Sequence, residues 1–550
     1  MTNKDLADVI FPNITKTIAD YEKMYPERKI EEGASVTRFA PSPTGFMHLG
    51  GFFQAIIDKL IAHSTDGVFF VRNEDTDQKR EVEGATELIM NTLSHYDLLP
   101  DEYEFKGKIV GEYGPYIQSE RKEIYQTFIK HLIEIGRAYP CFATKEELEE
   151  LRNAQEKIKM RTGYYGRYAR DRNLSVEEAI KRIQSGEKYV IRFKSMGDFE
   201  KKFKFMDEVR GLLYLPENDE DFVIMKSEGG LPTYHFAHLV DDVLMHTTHV
   251  VRGEEWLSSV PKHVELFETF GYPLPKYVHT PLIVKKEGTS VRKLSKRKDP
   301  EATMRYYEEQ GYPKTAVIEY LMTIINSNYE EWHTENPEKA YLDFTFNPKK
   351  MAASGGALFD MEKLNNISKN CISKMTKEEL LEESYAWASK YNPTLKEIID
   401  RDKNYYMSIL NIERESAKPR KDITTYQDIL ANIWYMYDDL FEKEDTYEFM
   451  KVTDKEEINK ITKTYIDKYY SVEDDKDTWF TKVKSLCDEL GYASNMKEYK
   501  INPEAYKGSV TDISTVLRVS LTKKAQTPDL YEIMQILGRE KMIERFEKLS

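Results

Sequence analysis

Residues 35–77 read SVTRFAPSPTGFMHLGGFFQAIIDKLIAHSTDGVFFVRNEDTD. Val36 to Phe39 has the composition of a short buried strand ending at Ala40. The run Pro41-Ser42-Pro43-Thr44-Gly45 denies the chain regular structure and predicts a tight, extended loop. Beyond Gly50 and Gly51, the residues Phe52, Phe53, Ile56, Ile57, Leu60 and Ile61 recur at helical spacing, so a helix opens there. Val68 to Val71 is a second buried strand. Strand, loop, helix, strand is the first half of a nucleotide-binding parallel sheet, whose ligand crevice lies at the carboxyl ends of the strands. The glycines let backbone approach a nucleotide, and the helix start offers free N–H groups to phosphate. His48 stands beside that start, where a ring N–H would donate to a phosphate oxygen.

A Gly-rich turn with one histidine is weak evidence alone, because such a histidine is more often structural. The whole string PSPTGFMHLGG, however, resembles the HIGH motif of class I aminoacyl-tRNA synthetases, in the form typical of the glutamyl- and glutaminyl-tRNA synthetases. Gly51 stands where other class I enzymes carry a second histidine. A later stretch, PKYVHTPLIVKKEGTSVRKLSKRKDPEA at 275–302, supplies a partner. Thr280 to Val284 reads as a strand, Glu287 to Ser290 as a turn, and Lys293-Leu294-Ser295-Lys296-Arg297 matches the KMSKS loop. An isolated KxSK would read as a solvated basic loop; after a strand and after the first signature it does not.

The pair implies ATP, as its Mg²⁺ complex, held by Pro43, Thr44, Gly45, His48, Gly50, Gly51, Lys293, Leu294, Ser295 and Lys296. In the implied reaction a carboxylate attacks the α-phosphorus, pyrophosphate leaves and an aminoacyl-adenylate forms. The nucleophile is already ionised, so catalysis must come from alignment and from neutralising charge on the triphosphate. His48, Lys293 and Lys296 are the catalytic candidates, with Lys296 the stronger of the two lysines.

Three patches resemble the glutamyl family and imply L-glutamate. In RFAPSPTG, Arg38, Ala40 and Ser42 match pocket positions. In VRNEDTD, Glu74 matches the residue that meets the substrate ammonium, although Asn73 replaces a usual aliphatic residue. In GGLPTYHFAHLVDDVLMHTTHVVRGEEWLSSVPKH, Tyr234 and His238 match pocket positions and Arg252 matches the partner of the side-chain carboxylate. Arg offers that carboxylate a bidentate, always-charged fork. Thr247 to Arg252 reads as a strand with Arg252 at its carboxyl end. The competing structural reading pairs Arg252 with Glu254 or Glu255. His238 also suits a core histidine, and Asp241 and Asp242 read as helix-surface charges or nucleotide-end contacts.

The expected architecture is α/β: residues 1–34 an extension, 35–120 and 209–300 two halves of a Rossmann-like catalytic domain, and 121–208 an α+β insertion between them. Residues 301–370 follow as a helical stem-contact domain, and 371–550 as an all-helical region. Lys314 to Tyr329 reads as one amphipathic helix. In the insertion, QSER, AYPCF, RNLS and YVIRF follow the family in order, which implies a grip on the tRNA acceptor end. The helical C-terminus resembles the bacterial glutamyl type, whose last domains hold the anticodon of tRNA(Glu); whether tRNA(Gln) is also charged stays open. In the extension, Leu6, Val9, Ile10 and Phe11 offer an apolar face.

The bulk composition agrees. The chain has 550 residues, 40% hydrophobic and 32% charged, which suits several soluble domains. A net charge of −15 argues against indiscriminate nucleic-acid binding but not against a local RNA surface. No apolar run is long enough for a membrane span and no signal peptide precedes the fold, so a cytoplasmic monomer is expected. Cys141, Cys371 and Cys487 stand singly, and Ala143 occupies the second position of the family's CFC zinc string, so no structural zinc is expected and each cysteine reads as buried. A non-catalytic RNA-binding homologue would have lost His48, Lys293 or Lys296. A truncated paralogue that modifies a tRNA base would lack the long helical C-terminus. An unrelated nucleotidyltransferase would need neither insertion nor C-terminal domains.

Overall fold

The computed structural model describes residues 1–77, 79, 81–352 and 355–549. The chain divides into two compact units, one of residues 1–306 with 318–360, the other of 307–317 with 361 onward. Residues 301–370 contribute to both.

The first unit is built on a six-stranded sheet. Its order is Val68–Val71, Val36–Phe39, His249–Gly253, Lys276–Thr280, Lys202–Asp207 and Gly211–Pro216. Neighbours run parallel except the last pair, an antiparallel hairpin. Val36–Phe39 is buried along its length, as its reading requires. The chain leaves it on one side for Val68–Val71 and returns on the other with His249–Gly253. That reversal of direction is a topological switch point, where the carboxyl ends of the strands leave a crevice.

The helix after the first strand runs Leu49–His63 with His48 as its N-cap, and buries Phe52, Phe53, Ile56, Ile57 and Leu60 against the sheet. The strand expected from Thr280 to Val284 is two strands. Lys276–Thr280 ends in the main sheet, and Ile283–Glu287 begins a small one with Ser290–Lys293 and Ala357–Leu358. Pro281 lies between them and has no N–H to continue the ladder. The helix expected over 314–329 stops at Ile325, and Tyr329–Glu335 is separate; Asn326, Ser327 and Asn328 between them favour turns.

The segment between the halves forms its own sheet, Ala138–Cys141, Val190–Phe193 and Val223–Met225. The two folds exchange strands across 121–225, because Lys202–Asp207 pairs into the main sheet before Val223–Met225 returns to the smaller one. The N-terminal residues form helices Asn3–Ile10 and Ile18–Met24, each opened by a threonine capping box. Leu6 and Phe11 are buried there, with Val9 and Ile10 packed beside them.

From Met361 the second unit is helical, with no strand among its described residues. Its core runs from Ile372 through Leu410, Ile461, Leu486 and Leu517 to Phe546. Cys141 and Cys487 are buried as expected, but Cys371 is only partly so, since it lies at the edge of the buried stripe Leu364, Ser368 and Ile372 on the Met361–Lys374 helix.

Candidate active site

The loop after the first strand is pinned to the next one. Arg72 N–H donates to the Phe39 carbonyl and Glu74 N–H to the Pro41 carbonyl, both at 3.0 Å. Ala40 is half-buried, Ser42 and Thr44 are exposed, and Pro43 is buried. Gly45 takes φ 115°, a conformation that disfavours any side chain. His48 Nδ1 accepts the Gly50 N–H at 2.9 Å, so the ring caps its own helix. A Cβ at Gly50 would lie 3.2 Å from that nitrogen and crowd the bond. Burial, then Lys296 and Lys293, depress the His48 imidazole to about 4. The ring is therefore neutral near pH 7, and with Nδ1 accepting, its proton sits on Nε2.

The second signature lies against the first. Lys296 Nζ donates to the Phe46 carbonyl, and Met304 N–H to the Met47 carbonyl at 3.1 Å. Leu294 is buried and anchors the loop, while the Lys293 and Lys296 side chains come from exposed residues. Burial lowers the Lys296 ammonium somewhat. Asp299 shapes the turn, accepting the Arg292 fork at 2.6 and 2.8 Å and the Ser295 N–H at 3.0 Å. The Arg292 hydrogen bonds hold its carboxyl well below the ordinary range. The two signature segments that carry the ten nucleotide candidates thus touch.

Beneath them is a buried ionic network. Arg72 donates to Asp242 at 2.7 Å and to Glu74 at 3.0 Å. Arg38 donates to the Val251 carbonyl at 3.2 Å and lies 3.4 Å from Asp242. Asp241 accepts from Arg121, Gln118 and Tyr125. Burial works against the Arg38 and Arg72 charges, but the acidic groups around them, Asp242 foremost, together outweigh it and both stay above their ordinary values. Burial raises the Glu74 carboxyl, with Arg72 opposing. Asp241 and Asp242 are fully buried counter-ions. They are not surface charges, because arginines from other elements converge on them. Arg72 and Arg121, which the sequence reading passed over, carry that network.

The remaining candidates surround Arg252. His238 places Nδ1 2.6 Å from Asp242, and its Nε2 lies 2.9 Å from the Tyr277 hydroxyl. Its ring stacks on Tyr234. Burial depresses it to about 4. Arg252 is 4% exposed. Its Nε–H donates to His279 Nε2 at 3.0 Å, and Nη1 meets His263 Nδ1 at 3.1 Å and the Tyr234 hydroxyl at 3.4 Å. The guanidinium lies over the Tyr277 ring. Among the described residues no carboxylate forms an ion pair with it. Glu254 pairs with Arg210 and Glu255 with Lys293, which removes the rival reading of Arg252.

Arg38, Glu74, Tyr234, His238 and Arg252 thus join through Asp242 and Arg72, with Ala40 and Ser42 on the adjoining loop. A buried cation without its anion, a carboxylate and two basic loops fit a ligand with an ammonium, a carboxylate and a triphosphate partner. No cluster of three or more His, Cys, Asp or Glu among the described residues is placed to hold a metal ion. Cys141 Sγ instead lies 3.4 Å from the Tyr164 hydroxyl.

Comparison with known proteins agrees. Residues 35–366 match the model of the class I tRNA synthetase (E and Q) catalytic domain, and 504–549 that of an anticodon binding domain. A glutamate–tRNA ligase of Clostridium perfringens (strain SM101) is 49% identical, over 100% of this chain and 99% of its own. One from Acetivibrio thermocellus is 48% identical over 100% of both chains. The crystal structure of a glutamate tRNA ligase from Elizabethkingia meningosepticum in complex with its amino acid superposes with a TM-score of 0.75 at 28% identity, covering 94% of this chain and 99% of that one. With both motifs, both domain models and full-length similarity in agreement, the chain belongs to the glutamate–tRNA ligase family of class I tRNA synthetases.

Proposed function

We propose that this chain activates L-glutamate with MgATP to glutamyl-adenylate and transfers the glutamyl group to the 3′ end of tRNA(Glu). The observation that carries this reading is Arg252, a buried guanidinium whose described partners are neutral side chains and backbone, so that its charge is left for an incoming carboxylate. Glu74 receives the ammonium, and Arg38, Ala40, Ser42, Tyr234 and His238 shape the pocket between them. The α-carboxylate attacks the α-phosphorus; its O–P bond forms as the bond to pyrophosphate breaks. His48 Nε2–H and the Lys293 and Lys296 ammonium groups meet the negative charge on the departing phosphates, and Pro43, Thr44, Gly45, Gly50, Gly51, Leu294 and Ser295 line the nucleotide. Mg²⁺ enters with ATP.

The insertion takes the acceptor end, and the helical unit the anticodon. We read the protein as a cytoplasmic monomer without structural zinc; no helix among the described residues is long and apolar enough to cross a membrane. Charging purified tRNA(Glu) and tRNA(Gln) with radiolabelled glutamate tests the whole reading. Glutamyl-tRNA(Glu) is expected, and no product on either tRNA would sink it; product on tRNA(Gln) would extend the substrate range. Stoichiometric zinc on elemental analysis would remove the zinc-free assignment alone. Arg252→Ala should raise KM for glutamate ~100-fold, the effect of losing charge-assisted bonds to a carboxylate.

A further inference from the structure

Arg252 is held by lone pairs, and those lone pairs have to be kept available. An imidazole nitrogen accepts from a guanidinium only if its proton sits on the other nitrogen. At His279 that condition is met by Asp207, whose Oδ2 lies 2.6 Å from Nδ1. The other Asp207 oxygen accepts the N–H groups of Val209 and Arg210 at 3.0 and 2.9 Å. The carboxylate is thus fixed from both sides. At His263, Nδ1 faces Arg252 and Nε2 lies 3.0 Å from His235 Nδ1, which places the proton on Nε2. Burial keeps all three rings neutral, His235 at about 3 and His263 and His279 also lowered.

Resting on the reading of Arg252 as the glutamate side-chain partner, we propose that Asp207 and His279 are positioning residues for glutamate: Asp207 sets the His279 tautomer, and His279 sets the plane of the Arg252 fork while leaving its charge uncompensated. A carboxylate placed directly on Arg252 would hold the fork equally well but would compete with the substrate. An imidazole between the two keeps the anion one ring away. His263 supports the other edge of the fork in the same neutral manner. Asp207 ends one strand and His279 lies near the end of its parallel neighbour, so both are carried by rigid elements.

The test measures KM for glutamate and for ATP in tRNA charging by Arg252→Ala, Asp207→Asn, His279→Asn and His279→Gln, with thermal melting of each. In Asp207→Asn the amide oxygen must still accept the turn N–H groups, so its NH₂ faces Nδ1 and forces the ring proton onto Nε2, against Arg252. His279→Asn removes the acceptor at the Nε2 position, whereas His279→Gln restores one there. The expected result is a rise in KM for glutamate of about tenfold in Asp207→Asn and His279→Asn, as for a lost bond to a charged group. His279→Gln should recover most of it, and KM for ATP should stay within about twofold throughout, as expected for a group that does not touch the nucleotide. If Asp207→Asn does not fold, the two His279 variants decide. Unchanged KM for glutamate in the Asn variants, or equal rises for glutamate and ATP with no recovery in Gln, overturns the positioning role while Arg252→Ala still weakens glutamate. An Arg252→Ala enzyme with normal KM for glutamate overturns the underlying reading as well.

Discussion

His48 has two jobs on two nitrogens, and substitutions separate them. Its Nδ1 caps the helix, which leaves the ring proton on Nε2. Asparagine places an acceptor near Nδ1 and nothing at Nε2. His48→Asn should therefore keep the melting temperature within about 2 °C and lose ~100- to 1,000-fold in rate, as expected for a preorganised donor. His48→Ala should lose the rate and also ~1 kcal/mol of stability with the cap; thermal melts beside charging assays check both. The sequence pattern placed His48 at the start of a helix and Arg252 near the carboxyl end of a strand, and the structure has both there. The surroundings of Arg252 were not legible in the sequence. Two glutamates follow it within three residues, and only the fold shows that remote Arg210 and Lys293 claim them. Asp241 and Asp242 illustrate the same limit: adjacent charges on a helix read as surface until three arginines from elsewhere are brought onto them.

Among the elements, the Ser290–Lys293 strand and the turn after it deliver the lysines. Asp299 links the two by binding the Arg292 fork and the Ser295 N–H together. Asp299→Asn keeps the shape but weakens the charge-assisted bonds, each worth roughly 1.5–3 kcal/mol. A rise of about tenfold in KM for ATP, with KM for glutamate little changed, is expected from steady-state charging. The sequence showed a basic loop here but placed one strand across Pro281 where there are two. Periodicity in a five-residue window cannot tell one strand from the ends of two.

For the whole molecule, the buried histidines set an acid limit. Burial depresses His48, His238 and His249 to about 4 and His235 to about 3, and also holds His263 well below its ordinary value. Each is neutral when folded and takes up a proton on unfolding below its ordinary value near 6.5. The unfolded chain then binds more protons, so stability falls as pH drops from about 6.5 toward 4. Asp58, Glu74, Glu120 and Glu532, raised by burial, act in the opposite direction, the glutamates only below the pH range in which the histidines titrate first. At pH 5 each such histidine has forfeited up to ~2 kcal/mol. Melting scans at pH 7 and pH 5 should show a fall of about 5 °C or more; an unchanged melting temperature would refute neutral burial of these rings. The division into an α/β unit and a helical one was readable from pattern and resemblance. The strand exchange across 121–225 was not, since pairing partners leave no local trace.

The pairing of Val36–Phe39 with His249–Gly253 also has a temporal side. Thr37 pairs with His249, so this strand, once it leaves the ribosome, waits for a neighbour encoded 212 residues later. At ~5–20 residues per second that is a wait of about 10–40 s with one edge of a hydrophobic strand open. During that interval the nascent chain is a client for chaperones, and a chain arrested before residue 249 should be cut by protease within its first 70 residues far faster than the finished protein.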